Sequence, residues 1–136
     1  MVCVYCSKKT SVVNSRSQSR LNGVWRRRKC LGCGAVFSTL ESPAHHLAWQ
    51  VKGPSSKTTP FIEDKLFLSI YESLKHRDSA LVEARQLTET VVAKINSVAH
   101  DGMIQASAII NITKVCLNRF DKVASTHYQA FHPDAD

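Results

Sequence analysis

The chain has 136 residues, 43% of them apolar, and a net charge of +7. That is room for one ordinary domain or two small ones, with enough apolar material for a packed core. No apolar run approaches the ~20 residues of a membrane helix, which sets membrane-spanning function aside and points to a soluble, intracellular protein.

The chain opens on two C-x-x-C pairs, Cys3-Val-Tyr-Cys6 and Cys30-Leu-Gly-Cys33, with 23 residues between them. A two-residue spacing lets a tight turn bring both sulfurs to one point, and two such knuckles supply the four thiolates that structural Zn2+ prefers. Gly34 follows the second pair, where a positive φ lets amides fold back toward sulfur, while Ser7 is a less ideal residue after the first. Paired disulfides need an oxidising compartment, and Met1-Val2 leaves no room for a secretory signal ahead of Cys3. A thioredoxin-type site needs one C-x-x-C opening a helix, not two matched pairs. Cys3, Cys6, Cys30 and Cys33 are therefore read as the ligands of one structural zinc ion. Four protein ligands close such a site to a substrate water, and no carboxylate pair or activated nucleophile stands elsewhere, so an enzyme is not expected.

Between the knuckles, Ser11–Arg16 reads as a strand, Ser17–Gly23 as a polar turn and Val24–Lys29 as a returning strand. Val12, Val13, Trp25 and Phe37 give the little sheet a few apolar residues, and a module of this size cannot fold on those alone without metal. The expectation is a zinc ribbon over residues 1–42, disordered when zinc is absent. Ser42–His46 reads as a hinge with Pro43 ending the preceding strand, and residues 43–48 as a linker; His45-His46 is taken as a linker pair rather than a metal site.

Residues 49–132 then form a second domain. Leu47–Lys52 and Lys57–Phe61 read as strands joined by Gly53-Pro-Ser-Ser56, a hairpin. Ile62, Leu66, Ile70 and Leu74 recur at helical spacing. Asp78-Ser79 offers a cap for a second helix with Ala84, Leu87, Val91, Ile95 and Val98 on one stripe, and Asp101-Gly102 stops it. Ile109, Ile112, Cys116 and Phe120 mark a third helix, with Cys116 as a core thiol, and Val123, Tyr128 and Phe131 a fourth. Residues 133–136 are expected to fray. The fold class is α+β: a small zinc ribbon joined to a hairpin plus about four helices.

The charge divides unevenly. Residues 1–42 hold eight Lys/Arg against Glu41 alone, a net +7, while the remainder holds ten of each sign. Arg26-Arg27-Arg28-Lys29 stands beside the second knuckle, where metal makes the backbone rigid, and rigid guanidinium forks suit phosphates and guanine edges. On a regular strand Arg26 and Arg28 share one ligand-facing side, which Arg16 and Arg20 widen. A strongly basic module beside a neutral one points to nucleic acid, without separating DNA from RNA.

Cys-x-x-Cys, Asn14-Ser-Arg16, the Arg-Arg-Arg-Lys-Cys-Leu-x-Cys-Gly run and Phe37-Ser-Thr together resemble the bacterial NrdR repressor family, and Pro60-Phe61, Lys65-Leu66 and Asp121-Lys-Val-Ala124 resemble its second domain. The resemblance covers residues 3 to about 131. It implies a cytoplasmic, homo-oligomeric repressor of ribonucleotide reductase genes, whose ribbon binds a double-stranded operator and whose ATP-cone domain binds ATP or dATP. Lys52, Lys57 and Lys65 are then the cations for a triphosphate. The chain departs from the family at Val51-Lys-Gly-Pro-Ser-Ser-Lys57, where Val-x-Lys-Arg-Asp-Gly is usual, at Thr59 in place of an acidic residue, and at Ser125 in place of an aromatic one. Those changes leave open whether nucleotide affinity is weakened, altered or absent. One alternative is a zinc-ribbon protein that binds nucleic acid or polymerase, with a nucleotide-blind dimerisation domain. Another is a rubredoxin-like electron carrier.

Overall fold

Three antiparallel strands follow directly from the β-rich, polar stretch between and after the knuckles: β1 (Thr10–Gln18), β2 (Gly23–Cys30) and β3 (Val36–Glu41), in the order β1-β2-β3. A 3-10 turn at Ser19–Leu21 and Asn22 in the left-handed region reverse the chain between the first two. The computed structural model describes residues 1–133, so Asp134–Asp136 of the tail expected to fray lie outside the described residues. β1 has nine residues and β2 has eight, yet the pairing begins at Thr10↔Cys30 and ends at Gln18↔Gly23. The extra residue is taken up as a bulge between Val12 and Asn14. Among the described residues of this first unit, Met1–Pro43, only Cys3, Thr10 and Cys30 are buried, so the metal end is its core.

The second unit begins at Ala44. The expected linker and the start of the expected Leu47–Lys52 strand are corrected here. His45–Ala48 form a helical turn, α1, because His45 and Trp49 lie one turn apart and their rings stack at 4.1 Å. The strand is only β4 (Gln50–Lys52), which pairs with β5 (Thr58–Pro60) as the expected hairpin. α2 (Glu63–Leu74) and α3 (Ala80–Val98) follow, and Ser79 precedes α3 without a side-chain cap. Asp101 and Gly102, both at positive φ, turn the chain into β6 (Met103–Gln105), which runs parallel to β4 and completes a sheet of order β5-β4-β6. α4 (Ala106–Phe120) and α5 (Lys122–Phe131) close the unit.

The core of this unit gathers Trp49, Phe61, Leu66, Ile70, Leu74, Val91, Ile95, Ile104, Leu117 and Tyr128. The stripes hold in their middles and fail at their ends. Val98, Phe120, Val123 and Phe131 are exposed, while Thr113, Cys116 and Leu117 form the inward face of α4. Phe120 instead lies under the Arg77 guanidinium, 4.9 Å from its ring centre. No helix among the described residues is long and apolar enough to cross a membrane.

Candidate metal centre and nucleic-acid face

The two knuckles converge. All four sulfurs of Cys3, Cys6, Cys30 and Cys33 lie within 4.8 Å of one another, with Cys3–Cys33 at 3.8 Å and Cys6–Cys30 at 3.4 Å. Tetrahedral zinc with bonds of about 2.3 Å sets sulfurs about 3.8 Å apart, so this set fits the ion. Each knuckle turns on a residue at positive φ, Ser7 at 58° and Gly34 at 74°. Amides then aim at sulfur: Tyr5 N–H at Cys3 Sγ (3.4 Å), and Gly32 and Cys33 N–H at Cys30 Sγ (3.3 and 3.4 Å). The Cys33 N–H, helped by that of Gly32, holds the Cys30 thiol down to about 6 despite burial. The Lys8 N–H favours the Cys6 thiolate, but the crowding sulfurs of Cys30, Cys33 and Cys3 push it up to about 12. Four sulfurs this close cannot all ionise without a cation among them, and a divalent one is what the donor set calls for. Cys116 is buried in the other unit and takes no part.

The basic strand presents its side chains on two faces. Arg26 and Arg28 do share one, as alternation requires, together with Ser15, Thr39 and Glu41. Both are engaged there. Arg26 donates to Ser15 Oγ at 3.1 Å and pairs with Glu41 at 3.3 Å, and Arg28 donates to Thr39 Oγ1 at 3.3 Å. Arg27 and Lys29 are exposed on the opposite face. Arg16 joins that second face and not the first, because the bulge at Val13 inverts the alternation beyond it, so that Arg16 pairs with Trp25. Its guanidinium lies 6.0 Å from the Trp25 ring centre. Arg20 stands on the 3-10 turn between the strands. In the sequence Trp25 stands as apolar material for the sheet. Strand alternation sets it on one face with Arg27 and Lys29, and the register adds Arg16 beside it.

In the second unit the three lysines separate. Lys65 lines a cavity of about 230 Å3 with Phe61, Ser69, Tyr128 and His132. Lys52 lines a neighbouring one of about 450 Å3 with Gly53, Gln105, Ser107 and Asn111, and both cavities share Ala106 and Ile110 at the start of α4. Lys57 is exposed and lines neither. The first cavity is walled by aromatic rings, His132 stacking on Tyr128 at 4.2 Å and reaching Ser69 Oγ at 3.4 Å. The second lies against the N-terminus of α4, a helix of 15 residues whose first amides carry no side-chain cap. Ser69, Ser107, Asn111 and His132 were not singled out in the sequence, and Tyr128 only as a mark of the last helix, since only the folded topology gathers them.

Residues 1–41 match the family model for the N-terminal domain of NrdR-like transcriptional repressors, the stretch that holds all four knuckle cysteines. A transcriptional repressor NrdR of Rhodospirillum centenum is 30% identical over 98% of this chain and 86% of its own length. One from Neisseria meningitidis serogroup A is 32% identical over the whole chain and 88% of its own length. One from Hyphomonas neptunium is 30% identical over 98% of the chain and 84% of its own length. Ribbon and helical unit are thus matched together, and the chain belongs to the NrdR family of transcriptional repressors.

Proposed function

We propose that this protein is a zinc-dependent repressor that binds duplex operator DNA through its ribbon, in the bacterial cytoplasm and as a homo-oligomer. The observation that carries the reading is the placement of charge: the whole excess of +7 lies on the first 42 residues, the cysteine-bearing ribbon, whose one carboxylate is Glu41, and Arg26 pairs with that carboxylate. Such a surface attracts a polyanion without self-neutralising. Arg16, Arg27 and Lys29 form the phosphate-facing side, with Arg20 at its end, while Arg26 and Arg28 hold the sheet in shape from behind. Arg27→Ala and Lys29→Ala are each expected to weaken duplex binding several-fold and to lower the slope of log K against log salt by about 1, with zinc content unchanged. Electrophoretic titration at several salt concentrations measures both. Unchanged affinity and slope in the double variant would remove this face from the interface.

The same reading takes the second unit as an ATP-cone that controls ribonucleotide reductase genes. The aromatic cavity, with Lys65 in its wall, suits a base, and the α4 N-terminus with Lys52 and Ser107 suits phosphates, with Lys57 on the hairpin. A thermal-shift titration with ATP and dATP tests it. A ligand at 100 times its Kd adds about 2.7 kcal/mol to the unit that binds it, a rise of several degrees. No shift with either nucleotide would leave the helical unit as a dimerisation scaffold.

A further inference from the structure

We propose that the ribbon also binds single-stranded nucleic acid, by stacking an unpaired base on Trp25. This rests on the reading of the ribbon as a nucleic-acid-binding module, and adds to it a second class of ligand and the residue that selects it.

Trp25 lies at the centre strand of the sheet, flanked by Arg16 on β1 and Leu40 on β3. It is half-buried, and it is not a core anchor: the buried residues described in this unit are Cys3, Thr10 and Cys30, at the metal end. Along β2 the same face continues through Arg27 and Lys29, at intervals of about 7 Å, the two-residue repeat of a strand. Its cross-strand partners from Ser11 to Leu40 are Ser, Asn, Arg, Val and Leu, so no carboxylate faces it, and Glu41 sits on the other side with Arg26. An aromatic ring set among cations on an open sheet is the arrangement by which proteins hold single strands, the ring taking a base face and the cations the backbone. A duplex can use the cations but offers no base face to the ring. The Arg16 guanidinium, at 6.0 Å from the ring centre, marks where a planar, electron-poor group is already accepted.

The test uses the full zinc-loaded chain with a labelled dT12 strand and a 12-base-pair duplex. Trp25 and Trp49 are the two tryptophans, and Trp49 is 7% exposed in the helical unit, so Trp25→Phe isolates the Trp49 background. Expected are quenching of the Trp25 emission by dT12 and no quenching in Trp25→Phe, which still binds the strand within about threefold. Trp25→Ala should lose roughly tenfold or more in strand affinity, with a clearly smaller loss for the duplex through the Arg16 contact, and one zinc per chain retained. Equal strand binding by wild type and Trp25→Ala, or strand binding with undisturbed Trp25 emission, would overturn the proposal. Duplex binding with no strand binding would sink this inference alone. Failure to bind either would sink the nucleic-acid reading with it.

Discussion

Asp121 satisfies four donors with two oxygens. Its Oδ1 accepts from the Val123 and Ala124 amides at 2.8 and 3.1 Å, capping α5, and its Oδ2 meets His76 Nε2 at 3.0 Å and Arg77 Nη1 at 2.9 Å. Arg77 in turn clasps Glu83 with both Nε and Nη2, at 2.6 and 2.9 Å. The Ala124 amide first, then His76 and Arg77, hold the Asp121 carboxyl well below the usual carboxylate range, and Arg77 depresses Glu83 too. A carboxyl depressed by folding stabilises the native state above its unfolded pKa, about 3.9 for Asp, and that contribution drains away as pH falls below it. Asp121→Asn is therefore expected to melt several degrees lower than wild type at pH 7, with the gap constant down to about pH 5 and narrowing below about pH 4. Melting curves from pH 2 to 8 check this, and a gap that stays constant to pH 2 would dismiss the charge as its source. The sequence placed Asp121 inside a family-like stretch but gave no hint of Arg77 and His76 as its partners, which stand more than 40 residues away.

Elements were legible wherever period alone decides. Ile70, Leu74, Val91 and Ile95 are fully buried as their stripes require. Period says nothing of where a helix outruns its neighbours, which is why Phe120 and Phe131 are exposed. Three-residue β6 was invisible for another reason: Met103–Gln105 has no strand pattern of its own and becomes a strand because β4 lies beside it. Gly102, read as a helix stop, turns out to make that docking possible. It stands at φ 72°, its carbonyl accepts from Gln50 N–H at 2.7 Å, and a Cβ there would meet the Ala48 carbonyl oxygen at 2.5 Å. Gly102→Ala should cost more than about 1 kcal/mol, from left-handed backbone and backbone collision together. A urea titration is the check, and a variant of unchanged midpoint would mean the β4–β6 contact is slack. The metal ligands were readable outright, since four cysteines at that spacing declare their chemistry without any tertiary contact. The faces of the basic strand were only half readable, because one bulged residue decides on which side Arg16 stands.

The molecule as a whole combines two sources of stability. The second unit has an apolar core built from α2 to α5 and the small sheet, whereas the first is organised around sulfur. Zinc removal by a strong chelator is expected to abolish the β1–β3 sheet while leaving the helical signal, since every α-helix among the described residues lies between His45 and Phe131. Circular dichroism and the count of dispersed amide resonances separate the two losses; collapse of the helical signal on chelation would show that the units fold as one. The uneven charge has a mechanical consequence as well. Near a polyanion the net electrostatic pull falls mainly on the ribbon, since the helical unit carries no net charge. The protein is therefore turned as well as drawn in, so that collisions with DNA occur ribbon-first more often than chance would give. That bias acts only within about the Debye length, about 8 Å at physiological salt, and should weaken as salt is raised.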